Sequence, residues 1–391
     1  MRVAHLDHST AVGGAELALR RMLVARDAGD TGWRALVALP RPDATGAPDD
    51  GPFSGIDGVP VVRLGPPQGP GLGIGASDGA RIAWSRKVTG GAALAASSWA
   101  LRRSAVARAD VVHANTSRAA AYGALAVHRR QRFVVHLRDL VSAEALGRHG
   151  LAAMRLALRR ADGVVANSAA TLGTAEPYLR VGVPALVLPS PSGFDRVRAE
   201  GRLDVGGGGP RVVGMVARMA PWKGQVLLVE AFAKAFAGTS TRLRLVGAAQ
   251  FGDEEVVTQV RARAVELGVA DRLDLPGHVT DVYAEIARMD ICVQASTRPE
   301  PLGQNVLQYL ASARPTVVAD AGGPLEWVQD GDNGLVFRTG DAASLADALV
   351  RLSDPVLRRR LSAGASATPI PTDAEVATSF AAFLRAVPPR R

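Results

Sequence analysis

Short runs dominated by β-branched and other apolar residues alternate along the chain with longer stretches rich in Ala, Leu and Arg. RVAHLD, ALVALP, ADVVHAN, FVVHLRD, DGVVANS and ALVLPS come first; RVVGMVAR, RLRLVG, RLDLPG, DICVQAS, PTVVAD and GLVF follow after a break. Apolar runs of this length between helical stretches predict parallel strands covered by helices on both faces. Because the series occurs twice, the chain is read as α/β with two Rossmann-like domains. The break is PSPSGFDRVRAEGRLDVGGGGP, residues 189–210, whose Pro, Ser and run of four glycines read as a connection. The expected division is 1–188, the linker 189–210, 211–372, and a last helix over 373–391 that opens at the cap-like Thr372 and Asp373. Residues 41–79 are rich in Gly and Pro and read as one long loop.

Composition narrows the class. At 391 residues and 47% hydrophobic content the chain can bury two sizeable cores. No segment approaches the roughly 18 consecutive apolar residues of a membrane span. MRVAHLDHSTAVGG runs straight into a strand pattern without a charged leader, so a cytoplasmic location is expected. The single cysteine, Cys292, excludes a disulfide framework and reads as buried filler. Seven scattered histidines form no paired metal-ligand motif, so no metal site is expected. A net charge of +9 would suit nucleic acid, but the cations are dispersed and aromatics make up only 5%, so no stacking platform is visible. The surplus fits an anionic substrate or an acidic membrane surface equally well.

In open parallel sheets ligands bind beyond the carboxyl ends of strands, so the loops after strands hold the candidate chemistry. In DHSTAVGGAELALRR the pair Gly13 and Gly14 precedes a helix, where backbone N–H groups can approach a phosphate. A plain βα turn is the simpler reading of that pair alone. In VVGMVARMAPWKGQVLLVEAF a strand ends near Arg218, and Lys223 opens the next helix. Two cations at a strand exit can neutralise a diphosphate, or can simply face solvent. In STRPEPLGQNVLQYLASARP, Glu300 precedes a helix start. Free amides near Leu302, Gly303 and Gln304 would face an anion, and the carboxylate would accept from sugar hydroxyls. Gln308 lies about 7–8 Å farther along that helix, the reach from a phosphate to a ribose.

The joint order of these motifs resembles the family 4 glycosyltransferases of the GT-B fold. The resemblance is densest from Val212 to Phe337, through LVG, GVADRLDLPGHVTD, EPLGQNVLQ and PTVVADAGGPLEWVQDGDNGLVF; GGAE, ADVVHAN, VVHLRD, VVANSAAT and VLPSPSGFD are weaker N-terminal signposts. It implies retaining transfer of a sugar from a nucleotide diphosphate donor, UDP-linked by default, to a hydroxyl acceptor, with no cofactor and no metal on the diphosphate. Arg218 and Lys223 match the pair that stabilises the departing phosphate, and Glu300 the carboxylate that holds the donor sugar. Leu302, Gly303 and Gln304 would cap the distal phosphate. Gly14 matches the N-domain glycine facing the diphosphate, and His136 the histidine lining the sugar pocket. The last helix would cross back to the first domain.

Three features depart from that family or add to it. Gln308 stands where a second Glu is usual, which suggests tolerance of a deoxygenated ribose. Ala313 stands where a glycine is usual, and Ser192–Gly193–Phe194–Asp195 keeps only the Gly and Asp of a hinge motif. Separately, residues 81–109 place Trp84, Val88, Ala92, Ala95, Trp99 and Val106 near one helical stripe ringed by Arg and Lys. Ordinary packing is the favoured reading, and peripheral contact with the inner face of a membrane is the alternative. Asp330 and Asp332 read as a turn rather than a metal motif. Other functions that fit the same pattern are a nucleotide-sugar epimerase or hydrolase, a non-catalytic nucleotide-sugar-binding protein, and a periplasmic two-lobed binding protein. The acceptor is not identified.

Overall fold

The computed structural model describes residues 1–9, 13–26, 33–41, 50–65, 95–194, 208–249 and 253–389. They form two compact units, Met1–Pro191 with Pro371–Arg391, and Ser192–Ile370.

The first unit holds a parallel sheet in the order β3-β2-β1-β4-β5-β6-β7. Its strands are β1 (Arg2–Leu6), β2 (Arg34–Pro40), β3 (Val61–Leu64), β4 (Val111–Ala114), β5 (Arg132–Leu137), β6 (Gly163–Ala166) and β7 (Ala185–Val187). Alternate residues along these strands feed two separate cores, which is why the strands read as continuous apolar runs. Val3, Val37, Val111, Val134 and Val165 pack with the helix α1 (Gly14–Ala25) and the C-terminal helix Asp373–Ala386. Ala4, Val112, Phe133, Val135 and Val164 pack on the opposite side with the helices Ser117–Ala126 and Ala143–Arg160. The strand β3 lies inside the stretch read as a loop. It is a four-residue edge strand, partly buried throughout and carrying Arg63, too short and too polar for its period to register.

The second unit repeats the plan, in the order β10-β9-β8-β11-β12-β13. Its strands are β8 (Val212–Val216), β9 (Arg242–Val246), β10 (Leu273–Gly277), β11 (Ile291–Gln294), β12 (Thr316–Ala319) and β13 (Gly334–Phe337). Cys292 is buried in β11, and Asp330 to Gly334 form a tight bridge before β13. In both sheets the strand order reverses about the first strand, so β1/β4 and β8/β11 are the switch points where a crevice opens.

The C-terminal helix belongs to the first unit. Thr372 and Glu375 form a reciprocal capping box at its start. Its Phe380 covers three buried histidines, with ring centroids 6.3 Å from His5, 4.9 Å from His113 and 6.2 Å from His136. Residues 81–94 of the basic stripe lie outside the described residues. In the part that is described, Trp99 is exposed beneath the Arg103 guanidinium, while Leu101 and Val106 are buried. Among the described residues no helix is long and apolar enough to cross a membrane.

Two measurements follow. Ala313 has φ 52° just after the helix Gln304–Ala311, the one non-glycine with positive φ among the described residues. A left-handed L-residue costs about 1–2 kcal/mol, and a glycine gives back about 0.5–1 of that as entropy. Ala313→Gly should therefore raise the unfolding free energy from urea melts by up to about 1 kcal/mol, and a loss would contradict this account. Burial holds the His113 and His136 rings well below the usual range, and burial together with Arg26 lowers His5 to about 3. The unfolded chain then binds more protons than the folded one below about pH 6.5, so stability present at neutral pH is lost on acidification. Unfolding free energy should fall by about 1.4 kcal/mol per pH unit for each histidine, and urea melts at pH 7, 6 and 5 read this directly.

Candidate active site

In the second unit the loops after β8 and β11 are brought together by glycine. Gly224, at φ 77°, caps the helix Gln225–Ala235, and a Cβ there would lie 1.9 Å from the Ala295 carbonyl oxygen. The Thr297 N–H donates to the Trp222 carbonyl at 2.8 Å and ties the same two loops. This contact delivers Lys223 to Glu300. Lys223 Nζ lies 2.6 Å from Glu300 Oε1 and 4.1 Å from the Trp222 ring centroid, and Ser296 Oγ donates to the same carboxylate oxygen at 2.6 Å. Glu300 is 5% exposed. Burial alone would push its carboxyl up, but the Lys223 charge and the bonds from Lys223 and Ser296 outweigh it and hold the group below the ordinary range.

The backbone around Glu300 is fixed from the far side. A Cβ on Gly322 would lie 2.3 Å from the Glu300 carbonyl oxygen, and the Gly323 N–H donates to that oxygen at 2.9 Å. Gly303, at φ 74°, caps the helix Gln304–Ala311; Leu302 is buried and Gln304 half-buried at its start. The N-terminal amides of that helix therefore follow directly on the Lys223–Glu300 pair. Arg218, just beyond β8, pairs with Asp253 at 2.7 Å, and its carbonyl accepts from Gln225 Nε2 at 2.8 Å. Gln308 is buried, and its Nε2 donates to the Ser192 carbonyl at 3.2 Å, beside Tyr283 Oη, which donates to the same oxygen at 2.7 Å. A carboxylate cannot donate to that carbonyl, which gives Gln308 a structural reason.

In the first unit, Gly13 and Gly14 stand at the start of α1 as the sequence suggests. His136 does not reach the sheet edge. It is 2% exposed on the face covered by Phe380, its Nδ1 3.2 Å from His113 Nε2, and His113 Nδ1 lies 2.8 Å from His5 Nδ1. The group that β5 presents at the edge is Arg138, two residues on. Its Nε and Nη2 donate to Asn115 Oδ1 at 2.9 and 2.7 Å, and its Nη1 to Ser190 Oγ at 2.9 Å. Asn115 in turn donates to Asp7 Oδ2 at 2.7 Å and to the Ala15 carbonyl at 3.1 Å. Asp7, His8 and Glu16 bring one polar atom each within 4.8 Å of one another. That spacing would suit a cation; Asp7 and His8 also engage Asn115, the His8 N–H and Thr116. Burial lowers Arg138 to about 10, against the opposing pull of Asp7, Glu16 and Asp139. The available signal for this cluster was polar residues directly after four strands: Asp7, Asn115, Arg138 and Asn167.

Comparison with known proteins assigns both halves. The Glycosyl transferase 4-like domain family matches residues 13–191, and Glycosyl transferases group 1 matches residues 210–354. The chain belongs to the glycosyltransferases of the GT-B fold. Among relatives of this GT-B chain, lipopolysaccharide core biosynthesis glycosyltransferase LpsE of Rhizobium meliloti is 33% identical over 208 residues, 52% of this chain and 57% of that protein. D-inositol 3-phosphate glycosyltransferase of Acidothermus cellulolyticus is 34% identical over 163 residues, 40% of this chain and 36% of that one. The match thus spans a little over half of the first relative and about a third of the second. The crystal structure of Anabaena Alr3699/HepE in complex with UDP superposes with a TM-score of 0.74 at 27% identity, covering 98% of this chain and 100% of that one. The same protein in complex with UDP-glucose gives 0.73.

The Lys223–Glu300 pair carries a measurable consequence. Lys223→Ala leaves a buried carboxylate uncompensated and should destabilise the second unit by about 3–5 kcal/mol, most of which Glu300→Gln in the same chain should restore. Urea unfolding of the two variants decides it, and a single variant as stable as the native chain would contradict the pairing.

Proposed function

We propose that the protein transfers a hexose-type sugar from a nucleotide diphosphate donor, UDP-linked by default, to a hydroxyl acceptor, with retention at the anomeric carbon and without a metal on the diphosphate. The observation that carries this reading is the buried Lys223–Glu300 pair set directly before the Gly303-capped helix. An acceptor-only carboxylate suits sugar hydroxyls, and helix amides with a nearby ammonium suit phosphate oxygens. The carboxylate keeps its charge because Lys223 compensates it in the resting state. Lys223 has two further N–H donors, so it can hold Glu300 and a phosphate oxygen at once. Arg218 would supply a second cation. Such preset charge lowers the barrier where negative charge grows on the leaving diphosphate.

Retention fits a reaction in which the departing phosphate takes the acceptor's proton on the same face. Among the described residues no second carboxylate pairs with Glu300 in the way a hydrolytic pair would. The amide of Gly14 at the start of α1 would contribute to holding a phosphate of the donor. A cytoplasmic location goes with a nucleotide-sugar donor. The UDP and UDP-glucose held by Anabaena Alr3699/HepE support that donor class.

The test is a panel of nucleotide sugars read by mass spectrometry, followed by acceptor screening with the donor that binds. Neutralising Arg218 or Lys223 should lower kcat by about 10²–10³, chelator should leave the rate unchanged, and NMR of the product should show the donor's anomeric configuration. Full-speed transfer by the Arg218→Ala, Lys223→Ala chain, or loss of transfer with chelator, would overturn the scheme. Donor consumption that needs no acceptor would move the protein to the hydrolase or epimerase reading.

A further inference from the structure

Sugar transfer makes no use of the amino edge of the first sheet, the end of the strands opposite to Asn115, Arg138 and Asn167. The segments that lead into β4, β5, β6 and β7 there all carry exposed arginine. Arg103 and Arg108 precede β4, Arg129 and Arg130 precede β5, Arg159 ends the helix before β6, and Arg180 precedes β7. Hydrogen bonds tie each segment to the next and make one continuous surface. Gln131 Nε2 donates to the Val106 and Ala109 carbonyls at 2.7 and 3.0 Å, the Phe133 N–H donates to Asp162 at 2.9 Å, and Arg180 Nη2 donates to the Ala161 carbonyl at 2.7 Å.

The acids of these segments do not balance the charge. Asp110 accepts from the Arg2 N–H at 2.7 Å, and Asp162 is buried, bound to the Phe133 N–H and 3.6 Å from Arg180. Both serve backbone amides. Among the described residues Arg103, Arg108, Arg129, Arg130 and Arg159 make no salt bridge. Large apolar side chains are exposed beside them. Trp99 is 59% exposed with the Arg103 guanidinium 4.3 Å over its ring, Leu156 stands three residues before Arg159 on the same helix face, and Val181, next to Arg180, is fully exposed.

A surface that only needs to stay in solution intersperses both signs of charge and keeps large apolar groups few. Here one sign is segregated and apolar groups are set among it. Arginine forks suit phosphate oxygens, and tryptophan settles between the headgroups and acyl chains of a bilayer. Nucleic acid would engage the arginines, but a single Trp is no stacking platform and Leu156 and Val181 would have nothing to contact. We propose that the amino edge of the first sheet docks the protein on a bilayer surface carrying anionic phospholipid headgroups, with the arginines on the phosphates and Trp99, Leu156 and Val181 in the interface. Strands β4, β5 and β6 have four to six residues. At about 3.3 Å per residue they hold the carboxyl-edge loops about 13–20 Å from that surface and leave them open.

The experiment needs no sugar donor or acceptor. The full chain is sedimented with sucrose-loaded vesicles of phosphatidylcholine alone and of phosphatidylcholine with equimolar phosphatidylglycerol. It should pellet with the anionic vesicles at about 0.1 M salt and be released at about 1 M, where the screening length falls from about 10 to 3 Å. It should stay in solution with phosphatidylcholine alone. An arginine near an anionic surface contributes about fivefold in partition, so the Arg108→Gln, Arg129→Gln, Arg130→Gln chain should bind about a hundredfold less. The Arg261→Gln, Arg351→Gln, Arg359→Gln chain removes the same charge from exposed positions of the second unit and should bind like the native chain. Tryptophan emission of the native chain should shift to the blue on anionic vesicles, and Trp99→Ala should lack that shift. Failure to pellet with anionic vesicles, equal binding by the two triple variants, or equal pelleting with neutral vesicles overturns the proposal. Release of the protein from the vesicles by a mixed-sequence DNA duplex, with no emission shift on lipid, overturns it in favour of nucleic acid. Should the first triple variant not fold by circular dichroism, a native chain whose pelleting ignores salt, or whose emission shift survives in Trp99→Ala, is enough to overturn it.

Discussion

A parallel sheet covered on both faces leaves its polar groups one practical exit, the carboxyl edge, and each unit of this protein is arranged around that constraint. Several strands are followed directly by a polar residue, Asp7, Asn115, Arg138 and Asn167 in the first unit and Asp320 and Arg338 in the second, because the apolar layers close just behind them. The two switch points, β1/β4 and β8/β11, part the loops enough to form a recess. Charges placed there are largely removed from water and must be compensated by something nearby.

The units meet this demand in opposite ways. In the second, compensation is direct: Lys223 and Glu300 touch, and Ser296 completes the carboxylate's bonds. In the first, Arg138 is bound to an amide and a hydroxyl while Asp7, Glu16 and Asp139 stand nearby, and burial together with Asp7 raises the Glu16 carboxyl to about 8. A directly paired site rests in one charge state.

The three histidines belong to neither edge. His5, His113 and His136 replace aliphatic residues on the sheet face under the C-terminal helix, and the outer Nε2 atoms of His5 and His136 have no hydrogen-bond partner among the described residues. In the neutral state each ring has one N–H, so the two internal bonds can be satisfied in either direction while the ends go without. Such an arrangement costs stability, which the helix's aromatic contacts offset. It also explains why a strand-end histidine resembled a site residue: strand alternation puts His136 inward, and only Arg138 clears the edge.

Local pattern was enough to determine the repeated α/β plan, both sheets, the capped C-terminal helix and the loops carrying Gly14, Arg218, Lys223 and Glu300, because apolar period and chain punctuation are local properties. It missed β3, whose four half-buried residues have no period to read. Tertiary packing alone decided which residues meet: Lys223 finds Glu300 because Gly224 can lie against Ala295, Gln308 serves the Ser192 carbonyl, and the C-terminal helix closes over the first sheet. It also decided charge state, since Glu16 sits beside Asp7 only when β1 and α1 are folded together. Contacts between distant segments and the desolvation they bring are properties of the assembled chain, and no window of sequence contains them.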